Sequence, residues 1–356
     1  MSFKGNIFIN AAVTGGHIMP GISIAEELRK LNFNCIFLGK KGGLEENLYK
    51  KYNFPYFLLP VYHPFGKGIK ETLFFFLSLG YNILKLFYLY WHFNPKALIA
   101  TGNYSCILPI IIAKIFSKPV YLLEQNTILG RTVKYFSIFA EKVFLGFPIF
   151  NSSCLSKSKF LYTGNPLRRE IVEESFKERE EKYCLILGGS LGAKKLVEMG
   201  LTLAEEFPQE YFLIQAGKEE AFAKKIIEDK KLKNVKIFDF HPYIQKYFKK
   251  TKIVITRCGG VTLSEILCFN IPAILIPYPL AKDNHQQKNA EYLNKKTGLY
   301  FLKEEKFHHL KEVFTLLLKN KELREKIKER MKNLANKESA TLIAQYIVKK
   351  IKNEEK

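Results

Sequence analysis

Three times along this chain a short run of apolar, mostly β-branched residues stops at glycines and a helix-forming stretch begins. The junctions are Thr14-Gly15-Gly16-His17, Gly188-Gly189-Ser190-Leu191-Gly192 and Cys258-Gly259-Gly260. Glycine lets the backbone turn sharply off a strand end. The helix that follows presents unpaired N–H groups and the positive end of its dipole, which suits a phosphate. A glycine pair between strand and helix also serves as a mere tight connection. One junction therefore says little, and three at corresponding strand ends say much more.

The junctions sit in a regular alternation. Strands are expected at Ile7–Val13, Asn34–Leu38, Tyr56–Leu59, Ala97–Ala100, Val120–Leu123 and Lys142–Leu145, with helices near 21–31, 44–52, 71–92, 105–116 and 131–137. The second half repeats the rhythm, with strands at Cys184–Leu187, Tyr211–Gln215, Val235–Phe238, Ile253–Thr256, Ala273–Ile276 and Leu299–Phe301. Its helices are expected near 193–206, 218–230, 244–249, 261–269, 285–295 and 307–318, followed by a charged helical end from Lys321 to Lys356. This is the pattern of βαβ units, so the fold class is α/β with two Rossmann-like parallel sheets. A length of 356 residues also suggests two domains. Thr163-Gly164-Asn165-Pro166-Leu167-Arg168-Arg169 reads as the hinge, giving domains 1–163 and 164–335 and a last segment, 336–356, packing back on the first. Ligands of such sheets sit beyond the carboxyl ends of the strands, here in a cleft between the two domains.

Several side chains at those strand ends can do chemistry. His17 follows the first strand, where a neutral imidazole can take a proton from a hydroxyl, and Pro20 fits a first helical turn. A turn histidine bonded to backbone is the plainer explanation of His17 taken alone. Ser190 can donate to a phosphate oxygen. Glu265, about one turn into its helix, can accept from both hydroxyls of a ribose or simply complement the dipole. Glu124-Gln125-Asn126 closes a strand with three polar groups that orient a sugar or satisfy their own loop. Gln286 and Gln287 offer amides that donate and accept, as sugar hydroxyls require, while Asp283 or Asn284 reads as a helix cap. No Asp-x-Asp pair stands near a strand end, so leaving-group charge is expected to meet helix dipoles and cations rather than Mg²⁺.

A net charge of +22 favours an anionic partner. The excess lies mostly on lysines spread over helices and tails, with no recognisable nucleic-acid module, and no nucleic-acid partner is expected. The six cysteines are widely spaced, without CxxC, as in a reducing compartment, and no export signal precedes the first strand. The stretch Leu73–Trp91 approaches the length of a bilayer span, but Ser78, Asn82 and Lys85 interrupt it. A half-buried helix is expected instead. With Lys67 and Lys70 it would suit an anionic leaflet, and a purely buried helix fits equally.

Together the motifs resemble the MurG family over nearly the whole chain. They are Thr14-Gly15-Gly16-His17 with Pro20-Gly21, Thr101-Gly102 with Tyr104, Glu124-Gln125-Asn126 and Gly164-Asn165-Pro166 with Arg168 in the first half. In the second half they are Gly188-Gly189-Ser190 with Gly192-Ala193, Arg257 with Gly259 and Ser264-Glu265, and Gln286-Gln287. The resemblance implies the GT-B fold and transfer of N-acetylglucosamine from UDP-N-acetylglucosamine onto lipid I, making the lipid II of peptidoglycan with inversion and without a cofactor. It implies that His17 is the base and that Glu265 holds the ribose and Ser190 the diphosphate. Thr14, Gly15, Gly16, Asn126 and Arg168 would line the donor site, with Gln286 and Gln287 on the sugar, Arg257 and Gly260 on the diphosphate and sugar, and His241 near the uracil. Gly16, Tyr104 and Glu124 would serve the acceptor and its pyrophosphate. Implied partners are UDP-N-acetylglucosamine, lipid I, an anionic membrane surface and other cell-wall synthesis proteins, with a peripheral location on the cytoplasmic face of the inner membrane. The chain departs from the family pattern at Asn103, at Ser105-Cys106-Ile107-Leu108-Pro109 and at Leu191. Competing readings are a GT-B UDP-sugar transferase acting on another lipid, a UDP-N-acetylglucosamine epimerase, and a basic non-catalytic adaptor.

Overall fold

The structure, a computed structural model, describes residues 3–60, 68–149, 157–188, 193–239 and 243–354, without side chains at 68–73, 157 and 354. Ser190, Leu191, His241, Cys154 and Lys67 lie outside the described residues, as does the side chain of Lys70. The chain divides into two units: Met1–Arg168 with Lys337–Lys356, and Arg169–Asn336.

In the first unit strands β1 (Asn6–Asn10), β2 (Asn34–Lys40), β3 (Tyr56–Leu59), β4 (Ala97–Ala100), β5 (Val120–Glu124), β6 (Lys142–Leu145) and β7 (Phe160–Tyr162) form one sheet in the order 3-2-1-4-5-6-7. Every pairing is parallel. Helices α1 (Gly15–Lys30), α2 (Glu45–Lys51), α3 (Gly68–Phe93), α4 (Ile107–Ile115) and α5 (Arg131–Phe136) connect them. Because side chains alternate along a strand, this sheet feeds two cores. Ile7, Ile9, Tyr121 and Leu123 face one, while Phe8, Leu98, Val120 and Leu122 face the other with Leu86 and Leu89 of α3, Ile110 of α4 and Val133 of α5.

The second unit holds helices α6 (Arg169–Glu174), α7 (Lys194–Glu206), α8 (Glu220–Asp229), α9 (Gln245–Phe248), α10 (Gly260–Cys268), α11 (His285–Thr297), α12 (Leu310–Lys319) and α13 (Lys321–Met331). Its strands are β8 (Tyr183–Leu187), β9 (Phe212–Gln215), β10 (Val235–Phe238), β11 (Thr251–Thr256), β12 (Ala273–Leu275) and β13 (Tyr300–Phe301), in the order 10-9-8-11-12-13 and again all parallel. In both sheets the order reverses beside the first strand, between β1 and β4 and between β8 and β11. Those reversals are the switch points where open α/β sheets bind ligands.

Local chemistry sets the helix ends. Gly298 closes α11 at φ 77°, a left-handed conformation that glycine adopts without steric cost. Asn320 caps α13 by accepting from the Leu323 amide at 2.9 Å. The buried guanidinium of Arg324 reaches back to the Leu317 and Leu318 carbonyls at 2.6 and 2.8 Å, satisfying the open end of α12.

Some expectations need correction. Helix α1 starts at Gly15, six residues before the predicted 21, so Pro20 lies inside the helix rather than in its first turn. Thr14 stands at the N-cap, and its carbonyl accepts from the His17 and Ile18 amides, starting the helix before the proline is reached. The charged end from Lys321 is two helices, α13 and α14 (Ser339–Glu354). The chain breaks between them where Ser339, fully buried, donates to the Gly164 carbonyl at 2.6 Å. Helix α14 lies against α1 and places Ile343, Ala344, Ile347, Val348 and Ile351 in the core with Ile7, Ile9 and Phe37. Strand β7 and helix α6 lie outside the expected elements.

Candidate active site

In the first unit the loops after β1, β4 and β5 converge. His17, in the first turn of α1, shares a 2.6 Å hydrogen bond between its Nδ1 and the carbonyl of Thr101, just past β4. A carbonyl can only accept, so Nδ1 carries a proton, and in the neutral ring the lone pair that a base needs is on Nε2. Gln125 donates to the same carbonyl at 2.8 Å. The Thr101 carbonyl, invisible to side-chain pattern reading, thus orients two predicted site residues. Thr14 and Gly16 are exposed, while Gly15 and Tyr104 are partly so.

Glu124 ends β5 and is 2% exposed. Its Oε1 accepts from the Asn126 amide and from Asn126 Nδ2, both at 3.0 Å, and its Oε2 accepts from the Gly130 amide at 2.7 Å. Burial pushes its carboxyl up to about 7, against the pull of these N–H donors on the ionised form. Glu124 therefore shapes the loop carrying Asn126, which itself stays partly exposed. Arg168, at the end of the first unit, is 8% exposed.

In the second unit the loop Arg257–Gly259 follows β11 and opens α10. Gly259 stands at the N-cap in an extended conformation with no side-chain cap, so Gly260 begins a helix whose first N–H groups can meet a ligand. Glu265 is buried on α10 at 8% exposure, and Ser264 donates to the Gly260 carbonyl at 3.1 Å. Arg257 pairs with Glu304 at 2.7 Å, donates weakly to the Ile276 and Pro277 carbonyls at 3.3 Å, and lies 5.4 Å from the Tyr278 ring centre. The Glu304 contact has no sequence signal, because the two residues are far apart in the chain.

Helix α11 braces this loop. Gln286 Oε1 accepts from the Cys258 and Tyr278 amides at 3.1 and 3.0 Å, which leaves its Nε2 without a hydrogen-bond partner among the described residues. Gln287 donates to Glu291 at 2.8 Å, and the buried Asn289 donates to the Cys258 carbonyl at 2.9 Å. Asn284 stands at the N-cap in a left-handed conformation and its side chain makes no capping bond, so the capping role read for Asn284 is absent.

Two parallel sheets of Rossmann order, each with a glycine-opened helix and polar strand ends at its switch point, are the architecture of the GT-B fold. The glycosyltransferase family 28 N-terminal domain profile matches residues 7–145, and that of the family 28 C-terminal domain matches 183–346. A relative from Sulfurihydrogenibium sp. (strain YO3AOP1), a UDP-N-acetylglucosamine–N-acetylmuramyl-(pentapeptide) pyrophosphoryl-undecaprenol N-acetylglucosamine transferase, is 33% identical over 98% of this chain and 99% of its own. The crystal structure of MurG from Acinetobacter baumannii superposes with a TM-score of 0.76 at 22% identity, covering 97% of this chain and 99% of that one. The chain belongs to the MurG family. Fold alone does not choose the reaction, since the UDP-GlcNAc 2-epimerase of Neisseria meningitidis also matches, with a TM-score of 0.68 at 14% identity over 97% of this chain and 100% of that one.

Proposed function

We infer that this protein is an inverting glycosyltransferase that moves N-acetylglucosamine from UDP-N-acetylglucosamine to the 4-hydroxyl of the muramyl sugar of lipid I, forming lipid II. The observation that carries this reading is the 33% identity to a transferase of that name along 98% of the chain, both domains included. The reaction breaks the bond from the anomeric carbon to UDP and forms one to the acceptor oxygen, through an oxocarbenium-like transition state. His17 would take the acceptor proton on Nε2 while the Thr101 carbonyl holds Nδ1–H. The electron pair leaves with UDP. Its charge would be met by the first N–H groups of α10, by Arg257 and by Ser190, with Gly15 and Gly16 permitting close approach in the first unit. Glu265 would accept from the ribose hydroxyls, Gln286 and Gln287 would meet the sugar, and Asn126, Arg168 and Thr14 would complete the donor contacts. Tyr104, Gly16 and the loop ordered by Glu124 would serve the acceptor. His241 is assigned to the uracil by resemblance alone. This chemistry calls for no metal.

We also propose a peripheral site of action on an anionic membrane. No described helix is long and apolar enough to cross one. Adjacent helices α3, α4 and α5, with the turn that follows α5, nevertheless expose Phe76, Leu84, Trp91, Ile115, Tyr135 and Ile138, each at 58–75%. Exposed Lys114, Arg131 and Lys134 stand on the same helices, and such a mixture favours an anionic leaflet. The deciding experiment is transfer of labelled sugar from UDP-N-acetylglucosamine to a short-chain lipid I analogue in EDTA. Transfer is the expected result. Donor binding without transfer would move the acceptor to another lipid, and absence of donor binding would overturn the transferase reading.

A further inference from the structure

Between β1 and α1 the chain passes through one residue in a conformation that its side chain disfavours. Val13 has φ 80°, and the Thr14 amide closes a two-residue hydrogen bond to the Ala12 carbonyl at 3.1 Å. This is a tight three-residue turn of the rare, strained hand, at a β-branched residue. Such a residue persists only where its surroundings hold it.

Three side chains, two from α2 and one from the loop after β4, do so. Asn103, past β4, donates to the Ala12 carbonyl at 2.9 Å, and Tyr49 of α2 donates to the Ala11 carbonyl. Glu45, the first residue of α2, is fully buried, and its Oε1 accepts from the Val13 amide at 3.3 Å and the Lys40 amide at 2.9 Å. Its second oxygen, Oε2, is buried with no hydrogen-bond partner. A Cβ at Gly43 would lie 2.0 Å from that oxygen, so the carboxyl occupies space that only glycine leaves open. A buried carboxyl that accepts two backbone amides and leaves an oxygen unsatisfied is poorly explained as a surface charge or a dipole partner.

We propose that Glu45 is a positioning residue for the transfer reaction, holding Val13 in its left-handed turn and so fixing where the first turn of α1 presents Gly15, Gly16 and His17. The proposal rests on His17 being the base. A change of φ at Val13 swings the start of α1, and His17 is four residues on. Its Nδ1 bond to Thr101 spans two loops and survives only if the α1 start is held. Asn103, one of the chain's departures from the family pattern, shares the clamp with Glu45 and Tyr49.

The test is a set of three variants compared with wild type. Glu45→Ala removes the acceptor and should lower kcat by about 10-fold to 100-fold, the scale of a misplaced catalytic group, while UDP affinity by calorimetry stays within about 2-fold. Glu45→Gln keeps an oxygen for the Val13 and Lys40 amides and should retain most turnover. Val13→Gly admits φ 80° without help, so Val13→Gly with Glu45→Ala should recover turnover that Glu45→Ala alone has lost. Amide exchange at residues 13–17 should be faster in Glu45→Ala and slow again in the double variant. Unchanged kcat in Glu45→Ala overturns the proposal. So does a double variant no better than Glu45→Ala alone, since a purely structural loss would not respond to freedom at residue 13. A wild-type protein that transfers no sugar would sink the functional reading instead. The exchange at residues 13–17 would then decide the clamp by itself.

Discussion

Replacing Glu124 by Gln tests how a buried carboxyl shapes the Asn126 loop. The side chain is 2% exposed, and its two oxygens accept three N–H bonds at 2.7–3.0 Å. Gln keeps one oxygen for Asn126 but turns an NH₂ toward the Gly130 amide, which then has no acceptor. Losing a charge-assisted bond and stranding a buried donor costs about 1–3 kcal/mol. If that cost falls on the loop, Asn126 shifts and turnover drops by about 5-fold to 100-fold. The same substitution has a signed pH dependence. Burial raises the folded-state pKa of Glu124 from its ordinary value of 4.5 to about 7, so between those values the folded protein binds the proton more tightly than the unfolded chain. Stability contributed by the group is then fully present below about pH 4.5 and lost as pH rises through about 7, by roughly 3 kcal/mol. Gln does not titrate. The stability of wild type relative to Glu124→Gln should therefore fall across that window and level off above it. Native-state amide exchange of peptides covering 120–131, corrected for its intrinsic pH dependence, reads this difference. A flat difference would refute the raised pKa, and unchanged turnover would refute the role of the carboxyl in placing Asn126.

Three other outcomes are expected. His17→Ala should lower turnover by about 10²-fold to 10⁴-fold with donor affinity nearly intact, and unchanged turnover would remove it as the base. Glu265→Ala should weaken UDP binding by about 10-fold or more in calorimetry, as expected for losing hydrogen bonds to a charged acceptor, and normal affinity would refute the ribose assignment. Changing Leu84 and Trp91, 73% and 75% exposed on α3, to Glu together should reduce co-sedimentation with anionic vesicles while leaving transfer to a short-chain soluble acceptor unaltered; undiminished sedimentation would remove this face from the membrane contact.

Much of the fold was legible because it is local. Each strand is a short apolar run, and residues such as Ile7, Phe8 and Ile9 alternate between the two faces of the sheet. The start of α1 was misplaced because a proline at position 20 draws a helix start toward itself in the sequence, whereas the structure starts the helix from the Thr14 carbonyl. Among the site residues, those at strand ends could be found by position alone. The partners that orient them could not: the Thr101 carbonyl carries no side-chain signature, and Arg257 and Glu304 meet only because the β11 loop and the segment after β13 come together. Glu45 is the clearest loss. In a run reading Gly-Gly-Leu-Glu-Glu it looks like any solvated first-turn carboxylate, and only burial separates it from its half-buried neighbour Glu46.

Helix α14 bears on the order in which the molecule can be finished. Its Ile343, Ile347 and Ile351 cover the same apolar face as Ile7 and Ile9, yet they are made after the whole stretch Arg169–Asn336. At ordinary synthesis rates of about 5–20 residues per second, that face waits on the order of ten seconds or more without its last layer. The first unit cannot be the first completed. A ribosome pausing late in the message would hold an N-terminal half already threaded into its sheet but still open along α1, a natural target for chaperones.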